Sequence, residues 1–215
     1  MQFDFAALDA RQRYKLMGST ITPRPIAWVS SLSADGRLNA APFSCFNLFS
    51  EDPPIVAFSI MSRSAKDGKD TGRNVRAQKE FVVNLVSEDN LDKMAITAIE
   101  FGPDVSEFDE AGLTSVPSLK IKTPRIAESS VSFECKLVRI LKLGTMRSLV
   151  FGEVLAMHVD DDAVIDATRG WIDTPRLRLI GRAGPDAYVR TSEVFTLPTI
   201  PVDQWVRRSG GKEKD

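Results

Sequence analysis

The stretch from Thr22 to Ser44, TPRPIAWVSSLSADGRLNAAPFS, constrains the fold more than any other part of this chain. Two strand-like runs flank Asp35-Gly36, a dipeptide suited to the left-handed backbone of a hairpin turn. Pro23 and Pro25 hold the entry extended and keep a helix from starting there. A chain that reverses on so short a turn lays its strands antiparallel, whereas parallel strands need a crossover of a dozen or more residues.

The pattern continues downstream. Pro53-Pro54 introduces a strand over Ile55 to Met61, and EFVVNLVS forms another from Glu80 to Ser87. Strand character returns over Ser129 to Lys142, with Val131, Phe133, Cys135 and Leu137 on one face and Ser132, Glu134 and Lys136 on the other. Leu149 to Val159 is apolar on both parities, so it is expected to be covered on both sides, by the interior and by another subunit. Helices are expected over Asp9 to Met17 with Gly18 as the stop, over Thr71 to Gln78, and over Asn90 to Glu100, capped by Ser87 or Asp89. Residues 102–118 are turn-rich and read as a surface excursion. The expected architecture is mostly β, an antiparallel barrel with inserted helices and not a doubly wound sheet. Residues 1–208 are expected to form a single domain, and 209–215 a disordered tail.

The 215 residues, 43% hydrophobic and 27% charged, suit a globular domain with a substantial core. Twenty-eight basic against 29 acidic residues leave a net charge of −1, which provides no global field for nucleic acid or an anionic membrane. There is no bilayer-spanning apolar run, and the N-terminus lacks signal-peptide design, so a cytoplasmic location is expected. Cys45 and Cys135 are expected to be reduced, partly buried thiols.

Much familiar chemistry is missing. His158 stands alone, beside Asp160 to Asp162, and reads as structural. Zinc-ligand spacing, a phosphate-cradling glycine loop and a dinucleotide fingerprint are all absent. Any redox chemistry must therefore come from a cofactor held by other means. Two stretches could hold one. In Asn39 to Asn47, small residues let backbone approach a flat ligand, and Ser44 and Asn47 can meet the edge of a heteroaromatic ring; the alternative is a strand running into a loop. In Ser59 to Asn74, serines, Arg63, Lys66, Lys69 and Thr71 precede or open a helix, whose free amides suit a phosphate. Asp70 would then cap that helix, turned away from the anion. The alternative here is a solvated basic loop. Arg24 could meet an anionic substrate group or pin the strand entry, and the second is favoured.

These pieces, TPRPIAWVSS, APFSCFNLFSEDPP, KDTGRN, EFVVNLV, SEFDEAGLT, SVSFECKL and RLIGRAGPDAYVR, resemble the flavin reductase-like family in order and spacing over roughly residues 18–195. That family includes flavoredoxin-type proteins and the reductase component of nitrilotriacetate monooxygenase. The resemblance implies a split β-barrel that binds FMN as a homodimer and takes electrons from NADH or NADPH, with a partner oxygenase conceivable but unidentified. It implies no catalytic side chain and no metal. Ring contacts would come from Ser44, Cys45, Phe46 and Asn47, and from Trp28 or Ser30. Phosphate contacts would come from Ser59, Ser62, Ser64, Lys69 and Thr71, with Asn74 behind them. Arg182 and Tyr188 would contribute from the closing strand. Rival readings on the same barrel are a non-enzymatic FMN electron carrier and a pyridoxamine-phosphate-oxidase-like enzyme.

Overall fold

A computed structural model describes residues 1–62, 69–102 and 105–202. Ser64, with Arg63 and Lys66 beside it, and the expected tail at 209–215 lie outside the described residues. Helix α1 (Ala10–Thr20) opens on a capping box, in which Asp9 accepts from the Gln12 amide and the Gln12 side chain accepts from the Asp9 amide. It does not stop at Gly18. The Arg24 guanidinium donates to the Gly18 carbonyl, and a Cβ on Gly18 would lie 3.6 Å from Arg24 Nη1. The helix runs past the glycine to Thr20, with Arg24 packed against it. Strand β1 (Arg24–Pro25) leads to β2 (Ala27–Leu32), and the expected hairpin returns as β3 (Leu38–Phe43), with Gly36 at φ 86° in the turn. Then follow β4 (Phe46–Glu51), β5 (Pro54–Met61), α2 (Asp70–Gln78), β6 (Glu80–Leu85), α3 (Leu91–Ile96) and α4 (Glu107–Glu110). The rest comprises β7 (Ser115–Val116), β8 (Arg125–Ile126), the long hairpin of β9 (Val131–Leu143) and β10 (Arg147–Val159), then β11 (Val164–Asp166), β12 (Trp171–Ile172), β13 (Ile180–Arg182) and β14 (Tyr188–Arg190).

Seven strands form one antiparallel sheet in the order β3-β2-β6-β9-β10-β5-β4. Its opposite edges, β3 and β4, are separated in sequence only by Ser44 and Cys45. A flat sheet of this width would hold its edge strands about 29 Å apart, at about 4.8 Å per strand interval. The link from Phe43 to Phe46 can reach no more than about 11 Å. The sheet therefore rolls until its edges meet. The rings of Phe43 on β3 and Phe58 on β5 stand 5.1 Å apart, and Phe58 meets Phe81 on β6 at 5.4 Å. No ladder joins β3 to β4 among the described residues, so the barrel is split along that seam.

Ala27, Val29, Phe43, Val56, Phe58, Ile60, Val75, Phe81, Val83, Cys135 and Val150 fill the inside. Gly152 makes room for them: a Cβ there would collide with Phe81 Cζ and lie 3.1 Å from Cys135 Cβ. A second layer covers the outside of β2 and β6, with Ile26, Trp28, Val86, Met94, Phe108 and Ile126 packed together. Phe108 belongs to the segment expected as a surface excursion; it is buried and anchors α4. The expected helix over Asn90 to Glu100 is shorter, a 3₁₀ turn at Glu88–Asn90 followed by α3. Ser87 caps it reciprocally with Asn90, while Asp89 pairs with Arg178 at 2.8 Å.

On the polar face of β9, Ser132 and Glu134 are buried and Lys136 is exposed. Residues 117–124 lie across it, held by two carboxylates. Glu80 Oε1 accepts the amides of Lys122 at 2.9 Å and Thr123 at 2.8 Å. Glu134, with no exposed side-chain surface, accepts the amides of Leu119 and Lys120 and contacts His158 Nε2, each at 2.6 Å. Burial alone would raise the Glu134 pKa, but the two amides and the imidazole outweigh it and hold the carboxyl below its ordinary value. His158 is thus a structural partner, as its isolation suggested.

Candidate functional site

The seam of the barrel gathers the chemistry. Ser44 and Cys45 form the bend that joins the two sheet edges. The Ser59 amide donates to the Cys45 carbonyl at 2.9 Å and ties this bend against β5. Cys45, expected to be partly buried, is exposed there, whereas Cys135 is sealed in the interior, where burial pushes its thiol pKa up. Phe46 turns inward against the core, and Asn47 is exposed with its Oδ1 accepting the Leu48 amide at 2.8 Å. Asn47 lies opposite Ala57 in the ladder, so it shares the outer face of the sheet with Ser59. Ser44 is half-buried, and its hydroxyl makes no hydrogen bond among the described residues.

Ser59 and Ser62 stand at the end of β5 beside the tip of the β9–β10 hairpin. The Ser62 amide donates to the Met146 carbonyl at 2.7 Å. Arg147 Nη1 donates to Ser59 Oγ at 3.1 Å, and Ser59 is buried beneath it. Helix α2 starts at the same end, since a Cβ on Gly72 in its first turn would lie 3.6 Å from Ile60 Cδ1. Lys69 is the N-cap residue of α2 and contributes no side-chain cap. Asp70, expected as the cap, is instead the first helical residue and pairs with Arg73. The first-turn amides of α2 therefore receive no carboxylate from the cap position, which suits an anion arriving there.

Thr71 and Asn74 sit on the other side of this helix. Thr71 Oγ1 donates to Asn39 Oδ1 at 3.0 Å, Asn74 Nδ2 donates to Ser31 Oγ at 3.1 Å, and Asn39 Nδ2 donates to Glu107 at 2.7 Å. Both side chains are buried and hold α2 on β2 and β3. Trp28 and Ser30 have no exposed surface; the indole N–H donates to Thr97 Oγ1 at 2.9 Å and the serine to the Pro124 carbonyl at 2.7 Å. Their parity points them into the outer layer, away from the seam. Arg182 and Tyr188 bind each other in a separate sheet of β1, β13 and β14, with the guanidinium 4.6 Å over the ring. Arg24 is buried, donates to the carbonyls of Gly18 and Ile21, and pins the strand entry.

The structure brings the Ser44–Asn47 bend beside Ser59 near the end of β5, sets Lys69 at the N-cap of α2, buries Trp28, Ser30, Thr71 and Asn74 under packed layers, and pairs Arg182 with Tyr188 in a separate sheet. Arg147, which sequence reasoning did not single out, meets Ser59 near the end of β5. Its only local signal is a lone arginine after the Gly144 turn. Its nearness to Ser59 depends on the ladder that sets Arg147 opposite Met61.

The donor set fits a flat ring with a phosphate tail. Hydroxyls and an amide side chain line the bend, and Arg147 stands beside it through Ser59. Among the described residues, no cluster of His, Cys, Asp or Glu could hold a metal ion, and no helix is long and apolar enough to cross a membrane.

Comparisons with known proteins bear on the fold and the family. The family model described as "Flavin reductase like domain" matches residues 17–171. An uncharacterized protein of Aquifex aeolicus is 44% identical over 190 residues, covering 88% of this chain and 95% of its own. The crystal structure of the 2-nitrobenzoate 2-nitroreductase NbaA from Pseudomonas fluorescens superposes with a TM-score of 0.87 at 33% identity, covering 98% of this chain and all of that one (100%). Nitrilotriacetate monooxygenase component B from Bacillus cereus gives a TM-score of 0.86 at 32% identity, covering 92% and 98% of the two chains.

Proposed function

The chain belongs to the flavin reductase-like family, and on that premise we propose that it binds FMN at the barrel seam and acts as an NAD(P)H-dependent flavin reductase. The observation that carries this reading is the meeting of the Ser44–Asn47 bend with Ser59 on β5, tied by the Ser59–Cys45 hydrogen bond of 2.9 Å. When bound, FMN supplies the redox chemistry, accepting hydride from a nicotinamide and releasing electrons to an acceptor. The side chains of this protein bind and orient. Ser44 and Asn47 address the ring edge, and Cys45 and Phe46 shape the bend that the ring lies against. Ser59, Ser62 and Lys69 address the phosphate, and the general acid–base work of a catalytic histidine is not needed.

A dimer completes the reading. Phe49, Met61, Leu141 and Leu143 are each more than 40% exposed. The ladder places Met61 and Leu143 opposite Arg147, and Leu141 opposite Leu149, so these rows share the outer face with Ser59. Phe49 packs edge-on against Phe151 beside them at 6.3 Å. An apolar face of this kind is suited to a two-fold contact between copies. Such a contact would place a second chain beside the seam. We further read residues 1–208 as one domain and the protein as cytoplasmic, in keeping with its two free thiols.

Flavin titration tests the proposal. The purified protein should bind FMN more tightly than riboflavin and consume NADH or NADPH when flavin is present. Flavin binding without nicotinamide consumption would make it a carrier, and absence of flavin binding would overturn the site. Light scattering should give the mass of two chains.

A further inference from the structure

After β14 the chain runs on as an apolar arm. Residues 192–201 contain no helix or strand. Val194, Phe195, Leu197, Ile200 and Val202 stand between 61% and 92% exposed. Single exposed apolar residues are ordinary, but a contiguous set of them marks an interaction surface. The arm is rooted at Thr191, whose amide and hydroxyl donate to the Leu179 carbonyl at 3.1 and 2.8 Å. Beyond that root, residues 192–201 make no hydrogen bond among the described residues.

The arm's sequence keeps it extended. Pro198 and Pro201 oppose a helix and cannot donate to a strand ladder. Thr196-Leu197-Pro198 and Thr199-Ile200-Pro201 repeat with a period of three, which is the period of the polyproline II helix. In that conformation Val194, Leu197 and Ile200 share one edge, and Phe195, Pro198 and Pro201 share the next. A segment so constrained loses little entropy on docking, and proline-rich segments recur as docking peptides for that reason.

A matching cavity lies at the arm's root. It has a volume of about 170 Å³ and is lined by Pro23, Ile26, Leu85, Val86, Leu179 and Ile180, with Thr191 beside them. No charged side chain lines it. An apolar cavity of about 150 Å³ takes up a benzene ring, so a phenyl group fits here. None of its residues belongs to the Ser44–Asn47 bend or to β5. The arm does not turn back into it. Phe195 is 90% exposed, although four residues of extended chain can span up to about 14 Å from the root. Because root and cavity adjoin, an arm that crosses to a second copy brings that copy's arm back to the first. Such an exchange is two-fold, self-complementary and closed.

We propose that the C-terminal arm is exchanged between two copies of this chain, each seating its Phe195 ring in the other's apolar cavity. The inference stands apart from the flavin reading and from the outer-face contact of Phe49, Met61, Leu141 and Leu143.

The test uses the full chain carrying Cys45→Ser, which leaves only the buried Cys135. Leu179→Cys places a thiol at the cavity, and Thr196→Cys places one beside the phenyl anchor. Each is made alone and both together, with melting recorded for each. After mild oxidation the double variant should run at twice the mass of one chain under denaturing, non-reducing conditions, and reductant should return it to one chain. Each single variant should stay at one chain. A disulfide closed within one chain would show an arm folded onto its own cavity and overturn the exchange. Absence of any disulfide in a double variant that melts like the parent would overturn it, and so would covalent pairs formed by Thr196→Cys alone. Thiol labelling of Thr196→Cys leaves the cavity untouched and decides the matter where Leu179→Cys unfolds the chain. The labelling rate should fall at least about tenfold as protein concentration rises through pairing, and adding Phe195→Ala should abolish the fall. A rate independent of concentration would overturn the proposal.

Discussion

Replacing Glu134 by glutamine probes the tie that holds residues 117–124 on the barrel. The carboxylate is fully buried and accepts two backbone amides and the His158 imidazole, all at 2.6 Å. Glutamine keeps the shape and can accept one amide through its oxygen. Its own NH₂ then faces the other amide, donor against donor. One buried donor left unpaired costs roughly 1–3 kcal/mol, and loss of charge weakens the contacts that remain, for a total of about 2–4 kcal/mol. In a domain of this size each kcal/mol is worth about 2–4 °C, so the melting temperature should fall by roughly 4–16 °C. The sign of the pH dependence follows from the direction of the shift. The folded-state pKa of Glu134 is lowered from 4.5, so its contribution is complete above that value and is lost as pH falls through the folded value. The gap between parent and variant should be full at neutral pH and narrow only in acid. Urea denaturation at neutral and acidic pH measures it, with Lys136→Gln, an exposed change on the same strand, as the control expected within about 0.5 kcal/mol. A neutral-pH loss no larger than the control, or a gap that closes on the alkaline side, would refute the reasoning.

Lys69→Ala should weaken FMN by about ten- to hundred-fold and leave riboflavin unchanged, because it removes one charge-assisted phosphate contact; equal loss for both flavins in titration would place Lys69 elsewhere. Gly152→Ala should destabilise by roughly 1–3 kcal/mol in chemical denaturation, since the new methyl group collides with the Phe81 ring in a filled core. A thiol reagent should label Cys45 in the native protein and Cys135 only after unfolding, and bound FMN should slow the labelling of Cys45; equal native rates for the two would contradict the burial pattern.

Much of the fold was legible in the sequence. The Asp35-Gly36 turn, the alternation over residues 131–137 and the proline-introduced strand at residues 55–61 are local signals, and all three appear as antiparallel strands. Other elements were missed for identifiable reasons. Phe46–Glu51 is an edge strand with polar residues interspersed, so it lacks a clean period of two. Gly18 looked like a helix stop because glycine is common just past a helix end, but the helix runs on to Thr20 with Arg24 bonded to the Gly18 carbonyl. Asp70 looked like a cap because capping residues are recognised by type, while the position of the first turn is decided by how α2 seats on Asn39 and Ser31.

The site divides along the same line. Its residue types and its two stretches, Asn39 to Asn47 and Ser59 to Asn74, could be named from sequence because small and hydroxylic residues before a helix have local chemical meaning. Which of them stand together at the seam could not, because β2 is buried on both sides and its parity carries no inward or outward mark. Trp28 and Ser30 therefore looked as available as Ser44, although they lie under a second layer. The sequence by itself determined that the chain makes antiparallel strands with hydroxylic and basic side chains at their ends. Only the tertiary structure decided that the sheet rolls through seven strands until Phe43 and Phe46 are neighbours. That closure brings Cys45 to Ser59 and sets Arg147 beside them from 88 residues away in sequence. The physical reason is that strand pairing is a contact between distant segments, fixed by register and by the burial of whole faces, and no local pattern contains it.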